Sequence, residues 1–258
     1  MKTALALLVA ATFAAAQPVS QEPYSKLRAN GPMSLTITYR CEPKHRTNLR
    51  QHMLAAGVKN FERWKQEGIL QDYKILFNSY LDSDTFDMMA LLTFAKYSDV
   101  DRWREVEKTM PGGLSGQALE FVTSAVTTPV DALRHAASPK PAERGKSVYF
   151  IIPYDYLVST DEYVKYLDTY VIPQVDGWIG ENVLASYRIC IGRYATGRPW
   201  ASLFVLEYRD AAAFGLREAT VTKVRERLKS NPTWLAASES KQKIRLEKQT
   251  VIAEELIP

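Results

Sequence analysis

The chain repeats itself. WKQEGILQDYK (64–74) returns as WIGENVLASYR (178–188), with Trp, Glu, Leu and Tyr in the same four places 114 positions on. Sliding the sequence by 114 aligns more than this phrase. SLTITYR (34–40) falls on VYFIIPY (148–154), and both have the alternating or continuous apolar character of strands. Between strand and phrase, Leu49, Met53, Ala56, Phe61 and Trp64 approximate one apolar helical stripe. Tyr163, Leu167, Tyr170, Val175 and Trp178 hold the corresponding places. The phrase ends each helix and opens a second strand, DYKILFNSY or SYRICIGRY, so that Tyr80 falls on Tyr194. Beyond it the offset drops to 111, matching DMMALLTFAKY (87–97) with WASLFVLEY (200–208). Asp99 and Asp210, of a residue type suited to capping, then open a further helix. Each copy closes on a strand, near 127–135 and near 249–257.

Each copy therefore reads strand-helix-strand-strand-helix-strand, the order of the ferredoxin-like, split βαβ unit. The expected class is α+β, with one unit over 33–137 and a second over 147–258. SPKPAERGK (138–146), with two prolines, a glycine and charges, reads as the linker. A four-stranded sheet of this kind is covered by helices on one face and bare on the other. Two copies on one chain can bury their bare faces against each other, which accounts for the repetition. In this element order the chain resembles the dimeric α/β-barrel superfamily, which includes the antibiotic-biosynthesis monooxygenase, EthD-like, NIPSNAP and stress-response A/B-barrel families. The resemblance covers about 33–258 and implies two units fused in tandem into one intramolecular barrel. It also implies that the space between the sheets can hold a ligand. Members of the superfamily include cofactor-independent oxygenases of polycyclic aromatics, haem binders and proteins without an assigned reaction.

The ends and the composition narrow the setting. Met1-Lys2, the apolar run Ala4 to Phe13 and the small residues Ala14-Ala15-Ala16 have the order of a secretory signal peptide cleaved after position 16. A spanning helix needs roughly 20 apolar residues, and this run stops at Gln17. A secreted or periplasmic protein is expected, with no membrane association after cleavage. The net charge of +4 comes without a basic tract. The densest cluster, KQKIRLEK (241–248), is interrupted by Ile, Leu and Glu at helical spacing and reads as a solvated helix face, which speaks against nucleic acid as a partner. Cys41 and Cys190 are the only cysteines. Export permits a disulfide between them, and buried free thiols in strand-like runs fit equally well.

Chemistry is harder to read. Haem most often needs an axial His, and His45, His52 and His135 all lie in the first copy. The helices after the third strands, Asp99 to Thr109 and Asp210 to Leu228, have none, so no cofactor is expected. His45 and His52 are two helical turns apart, about 10 Å of rise, too far to share one ion, and no metal site is expected. No phosphate loop and no nucleophile elbow is present. The expected ligand site is a cleft bounded by Arg40, His52 and Tyr80 from the first copy and Tyr154, Tyr166 and Tyr194 from the second. In that reading Thr36, Thr38 and Arg40 form one inner wall, Phe150, Ile152 and Tyr154 the other, and Arg40 holds a carboxylate or phenol. A plainly packed interface would use the same residues. Two functions stay open: a secreted protein that binds a small apolar or aromatic ligand between the sheets, or a cofactor-independent oxygenase, lyase or cyclase acting on an aromatic or polyketide-like substrate. A monomeric pseudo-dimer is expected, since the fusion supplies its own partner.

Overall fold

The computed structural model describes residues 32–258, so the expected signal peptide lies outside the described residues. The first half holds β1 (Met33–Cys41), α1 (Arg46–His52), α2 (Val58–Gln66), β2 (Asp72–Asn78), β3 (Met88–Phe94), α3 (Val100–Glu107), α4 (Gly116–Leu119) and β4 (Val122–Ala137). After residues 138–147 come β5 (Val148–Tyr156), α5 (Thr160–Tyr166), α6 (Ile172–Gly180), β6 (Leu184–Gly192) and β7 (Ser202–Tyr208). Then α7 (Ala211–Gly215), α8 (Arg217–Leu228), α9 (Pro232–Ile244), β8 (Arg245–Glu247) and β9 (Val251–Glu255) complete the chain.

The strands form one antiparallel barrel. In the first half the neighbour order is β4-β1-β3-β2, and in the second it is β9-β5-β7-β6. β2 then pairs with β9 through Leu76 and Glu255, and β4 pairs with β6 through Ala132 and Cys190, which closes eight strands into a ring. Closure leaves no open sheet edge in the barrel, the commonest hazard of an antiparallel sheet. β8 adds only to the end of β5. The helices lie outside, over two separate apolar layers, and a third core fills the lumen with Leu76, Met89, Ile151, Cys190, Leu203 and Val205 among others.

The two halves agree in a detail that the amino acids do not spell out. α1 and α2 are one continuous helical run broken by a π turn at Met53–Gly57, and α5 and α6 by one at Leu167–Val171. Met53 and Leu167 are 114 positions apart, as are Gly57 and Val171. π turns are rare and insert an extra residue into the helical ladder. In the first half Gly57 lets the Met53 side chain lie across the turn, since a Cβ there would meet the Met53 sulfur at 2.4 Å. In the second, Pro173, which has no N–H to donate, follows it.

Two registers differ from the sequence expectation. The third strands correspond as Met88 with Ser202 and Phe94 with Tyr208, still 114 apart, so Tyr208 matches Phe94 and the drop to 111 does not occur. The hairpin pairings set this: Tyr73 faces Leu92 and Tyr187 faces Leu206. The first strands correspond at 115, Met33 with Val148 and Cys41 with Tyr156, because the link from β1 to its helix is one residue longer than the link from β5. Tyr39, and not Arg40, therefore matches Tyr154. The capping expectation holds for Asp210, whose carboxylate accepts from Ala213 N at 2.7 Å. Asp99 makes no such bond and sits in a 3-10 turn, Tyr97–Asp99, that precedes α3. Both cysteines are free, Cys41 at the edge of the first outer layer and Cys190 in the lumen.

Candidate functional site

The one-residue shift in β1 moves the expected cleft apart. In β1, Met33, Leu35, Ile37 and Tyr39 face the helices, while the alternate residues Thr36, Thr38 and Arg40 face the lumen side. In β5 it is Ile152 and Tyr154 that face the helices, and Tyr149 and Ile151 that enter the lumen. The two proposed walls are thus on opposite sides of the barrel. Arg40 lies at one lumen mouth and spends its guanidinium on the carbonyls of Ser83 (2.9 Å) and Asp84 in the β2–β3 connection. Tyr80 and Tyr194 stand 65% exposed in the connections after β2 and β6. His52 sits in the first helix layer, with Nε2 2.9 Å from Ser115 Oγ. Of the six, only Tyr154 and Tyr166 come together.

Those two belong to a site that the repeat did not reveal. β5 and β7 bring Tyr154 and Phe204 to the helix side of the second half, with ring centroids 4.7 Å apart. α5 and the following π turn supply Tyr163, Tyr166 and Tyr170, spaced at roughly one helical turn, and all three are buried. Into this group comes Arg245, the first residue of β8. Its guanidinium carbon lies 4.1 Å from the centre of the Tyr154 ring and 5.4 Å from those of Tyr166 and Phe204. A cation over aromatic faces in a desolvated place gains from the ring quadrupoles.

The polar accounting of this group does not close. Among the described residues Arg245 forms no ion pair with a carboxylate, and its Nη1 is shut off from solvent without a hydrogen-bond partner. Tyr166 Oη, in a residue only 4% exposed, is likewise unpartnered. Tyr163 Oη lacks a well-formed hydrogen bond although Ser202 and Arg245 face it. Burial pushes the Tyr163 phenol up to about 12, and it holds those of Tyr166 and Tyr154 higher still, so all three are neutral donors near neutral pH. Tyr154 Oη donates to Glu247 Oε2 at 3.0 Å. Beside the group an opening of about 490 Å³ is lined by Tyr154, Tyr170, Arg225, Lys241, Arg245 and Glu247. Three cations and one carboxylate around buried phenols make a place for an aromatic body with an acidic group.

The corresponding region of the first half is filled. Leu49, His52 and Ala90 stand where the second half has Tyr163, Tyr166 and Phe204, and Phe61, Trp64 and Trp103 pack edge to face and stacked across the layer. Tyr39 Oη donates to Gly112 O at 2.5 Å, under the turn Pro111–Gly113. Gly113 has φ +76°, and a Cβ on it would lie 2.7 Å from Phe61 Cζ, so the turn seals this layer only as glycine.

Haem does not fit the second-half site through an imidazole. His45 and His52 belong to the first helix layer and His135 to β4, and none lines the opening. Among the described residues no group of three or more His, Cys, Asp or Glu could hold a metal ion, and no helix is long and apolar enough to cross a membrane.

No family profile matches the sequence. No curated protein matches it either. Solved structures do match, and what they share with this chain is the fold, an α/β barrel. A candidate monooxygenase from Fusobacterium nucleatum superposes with a TM-score of 0.56 at 11% identity, over 89% of this chain and 94% of the other. An anthrone oxidase-like protein gives 0.54 at 10% identity, over 90% and 93%. A chlorite dismutase variant from Candidatus Nitrospira defluvii, in complex with cyanide, gives 0.52 at 12%, over 91% and 94%. At these identities the likeness is one of fold.

Proposed function

We propose that the protein binds a small planar molecule bearing one carboxylate or phenol, in the helix-side pocket of the second half. The observation that carries this reading is the buried, unpartnered Arg245 Nη1 beside an opening that Arg245 lines together with Arg225 and Lys241, with the unpartnered Tyr166 Oη buried behind it. A buried donor left without an acceptor costs about 1–3 kcal/mol, and an anionic ligand group supplies the acceptor. The phenol rings offer the planar walls. Titration of the protein with naphthoate, followed by calorimetry, tests the reading: saturable binding that weakens about ten- to one-hundred-fold in Arg245→Met supports it, and binding indifferent to that change removes it.

Turnover of such a ligand is the second reading, and Glu247 favours it. This carboxylate, hydrogen-bonded to Tyr154, is placed to take a proton from a carbon acid while Arg245 holds the developing enolate. A cofactor-independent oxygenase would then need molecular oxygen as oxidant, and two structural neighbours carry the names of a monooxygenase and an anthrone oxidase-like protein. Oxygen uptake with an anthrone as substrate, compared between the protein and Glu247→Gln, decides between binding and turnover.

The same proposal takes the chain to be a tandem of two ferredoxin-like units and an exported monomer. The matching strand orders and the two π turns 114 positions apart support the tandem. N-terminal sequencing of protein collected outside the producing cell tests cleavage after residue 16, and light scattering tests the oligomeric state.

A further inference from the structure

A second, unrelated site lies at the lumen mouth opposite Arg40. Lys74 on β2 and Arg188 on β6 are 114 positions apart and both line a cavity of about 180 Å³ there. Their surroundings differ. Lys74 Nζ is 3.1 Å from Glu255 Oε2 and 2.9 Å from Tyr149 Oη, and Tyr149 donates to the same carboxylate at 2.6 Å. That cation is neutralised and hydrogen-bonded. Among the described residues Arg188 makes one hydrogen bond, Nη1 to Thr93 Oγ1 at 3.0 Å, and no ion pair.

The reason lies in the closing strands. Glu255 of β9 stands across from Leu76 of β2, and the residue across from the matching Cys190 of β6 is Ala132 of β4. The methyl of Ala132 takes the place of the carboxylate that serves Lys74. Of the other acids at this mouth, Asp72 pairs with Lys65 at 2.7 Å, while both oxygens of Glu207 are taken by hydroxyls, Ser147 at 2.8 Å and Ser186 at 2.5 Å, and its charge stays on the cavity wall. Leu91 and Val205 give the cavity an apolar floor. A guanidinium with spare donors above an apolar floor matches a carboxylate on a small hydrophobic body.

We infer that this lumen mouth binds a small monocarboxylate with an apolar body, held by Arg188 in the place that Glu255 occupies in the other half. It is separate from the helix-side pocket, and its test keeps the two apart. Benzoate is titrated calorimetrically into the full chain carrying Arg245→Met, which weakens the other site. Saturable binding is expected there. Adding Arg188→Gln weakens it about ten- to one-hundred-fold, the effect of removing one charge-assisted pair. Adding Ala132→Glu, which restores the internal carboxylate, abolishes it by competition. Thermal melting of each variant establishes that it is folded. Two outcomes overturn the inference: benzoate binding lost already in Arg245→Met alone, or binding unchanged by both Arg188→Gln and Ala132→Glu in folded protein.

Discussion

Tyr39 and Tyr154 occupy equivalent points in the two halves, and their fates differ. Each is buried and each donates its hydroxyl. Tyr39 gives it to a backbone carbonyl beneath a glycine turn that closes the layer. Tyr154 gives it to Glu247, a side chain at the rim of an opening, and carries Arg245 over its ring. The first half spends its helix layer on Phe61, Trp64 and Trp103, which pack on one another, with the Trp103 indole N–H donated to Glu107 at 3.0 Å. The second spends it on Tyr163, Tyr166, Tyr170 and an arginine, which leave polar atoms unmet. One backbone plan thus serves two ends: a layer that is packed shut holds the barrel together, and a layer with polar atoms left over can take a ligand.

Substitutions can break this division of labour. The largest effect is expected from Phe61→Ala, which opens a cavity in the shut layer and should cost about 3–5 kcal/mol in urea unfolding, with naphthoate affinity unchanged in the folded fraction. Alkali should act on both halves, because burial raises the phenols of Tyr39 and Tyr73 in the first as it does those of the second. The neutral phenols of Tyr163 and Tyr208, both pushed up by burial from 10.0 to about 12, stabilise the fold fully below pH 10. That contribution is lost as pH rises to 12, because the unfolded chain ionises first, at about 2 kcal/mol for each phenol. Unfolding midpoints measured across pH 9–12 check this, and Tyr163→Phe should flatten the decline.

Arg245→Met comes next, lowering naphthoate affinity by about 1.5–3 kcal/mol while leaving stability equal or improved, since a buried guanidinium without an acid partner is replaced by an apolar chain of similar length. The smallest effect is that of Tyr166→Phe. It removes a hydroxyl that has no partner in the protein, so stability should shift by less than about 0.5 kcal/mol, and ligand affinity should fall several-fold. If Tyr166→Phe destabilised the protein as Phe61→Ala does, the contrast between the halves would be lost.

The architecture was legible because a 114-residue shift carries the hydrophobic pattern of both outer layers: Leu49, Met53, Phe61 and Trp64 match Tyr163, Leu167, Val175 and Trp178 in the structure as in the sequence. The phase of β5 was not. Its residues Ile151, Ile152, Pro153 and Tyr154 are all buried, from one side by helices and from the other by the lumen, so alternation gives no polar marker to fix the face. One extra residue in the link after β1 then put Tyr39, and not Arg40, at the place that matches Tyr154. Arg245 was hidden for a different reason. KQKIRLEK has charges at helical spacing, but the helix ends at Ile244 and the next residue turns into an extended segment, which drives its side chain inward. No local pattern announces that change, since it depends on β8 pairing with β5. Phenols at Tyr163, Tyr166 and Tyr170 were visible as a departure from Leu49, His52 and Ala56, and that contrast is the part of the site that the repeat could have given.

The crossed closing strands also decide how the chain arrives at this state. β4 cannot complete its ladder until β6 has been made, and β9 pairs back to β2, joining Ala253 to Asn78. Contacts so distant along the chain form late, because the entropy of closing the loop must be met before they return anything. The ring should therefore shut in one concerted late step, with refolding much slower than the formation of either hairpin. Until then each half shows two raw strand edges and an uncovered sheet, a surface that a second chain can satisfy as well as the proper partner can. A chain cut within residues 138–147 should accordingly yield fragments that pair with each other or with copies of themselves, and neither should persist as a folded monomer.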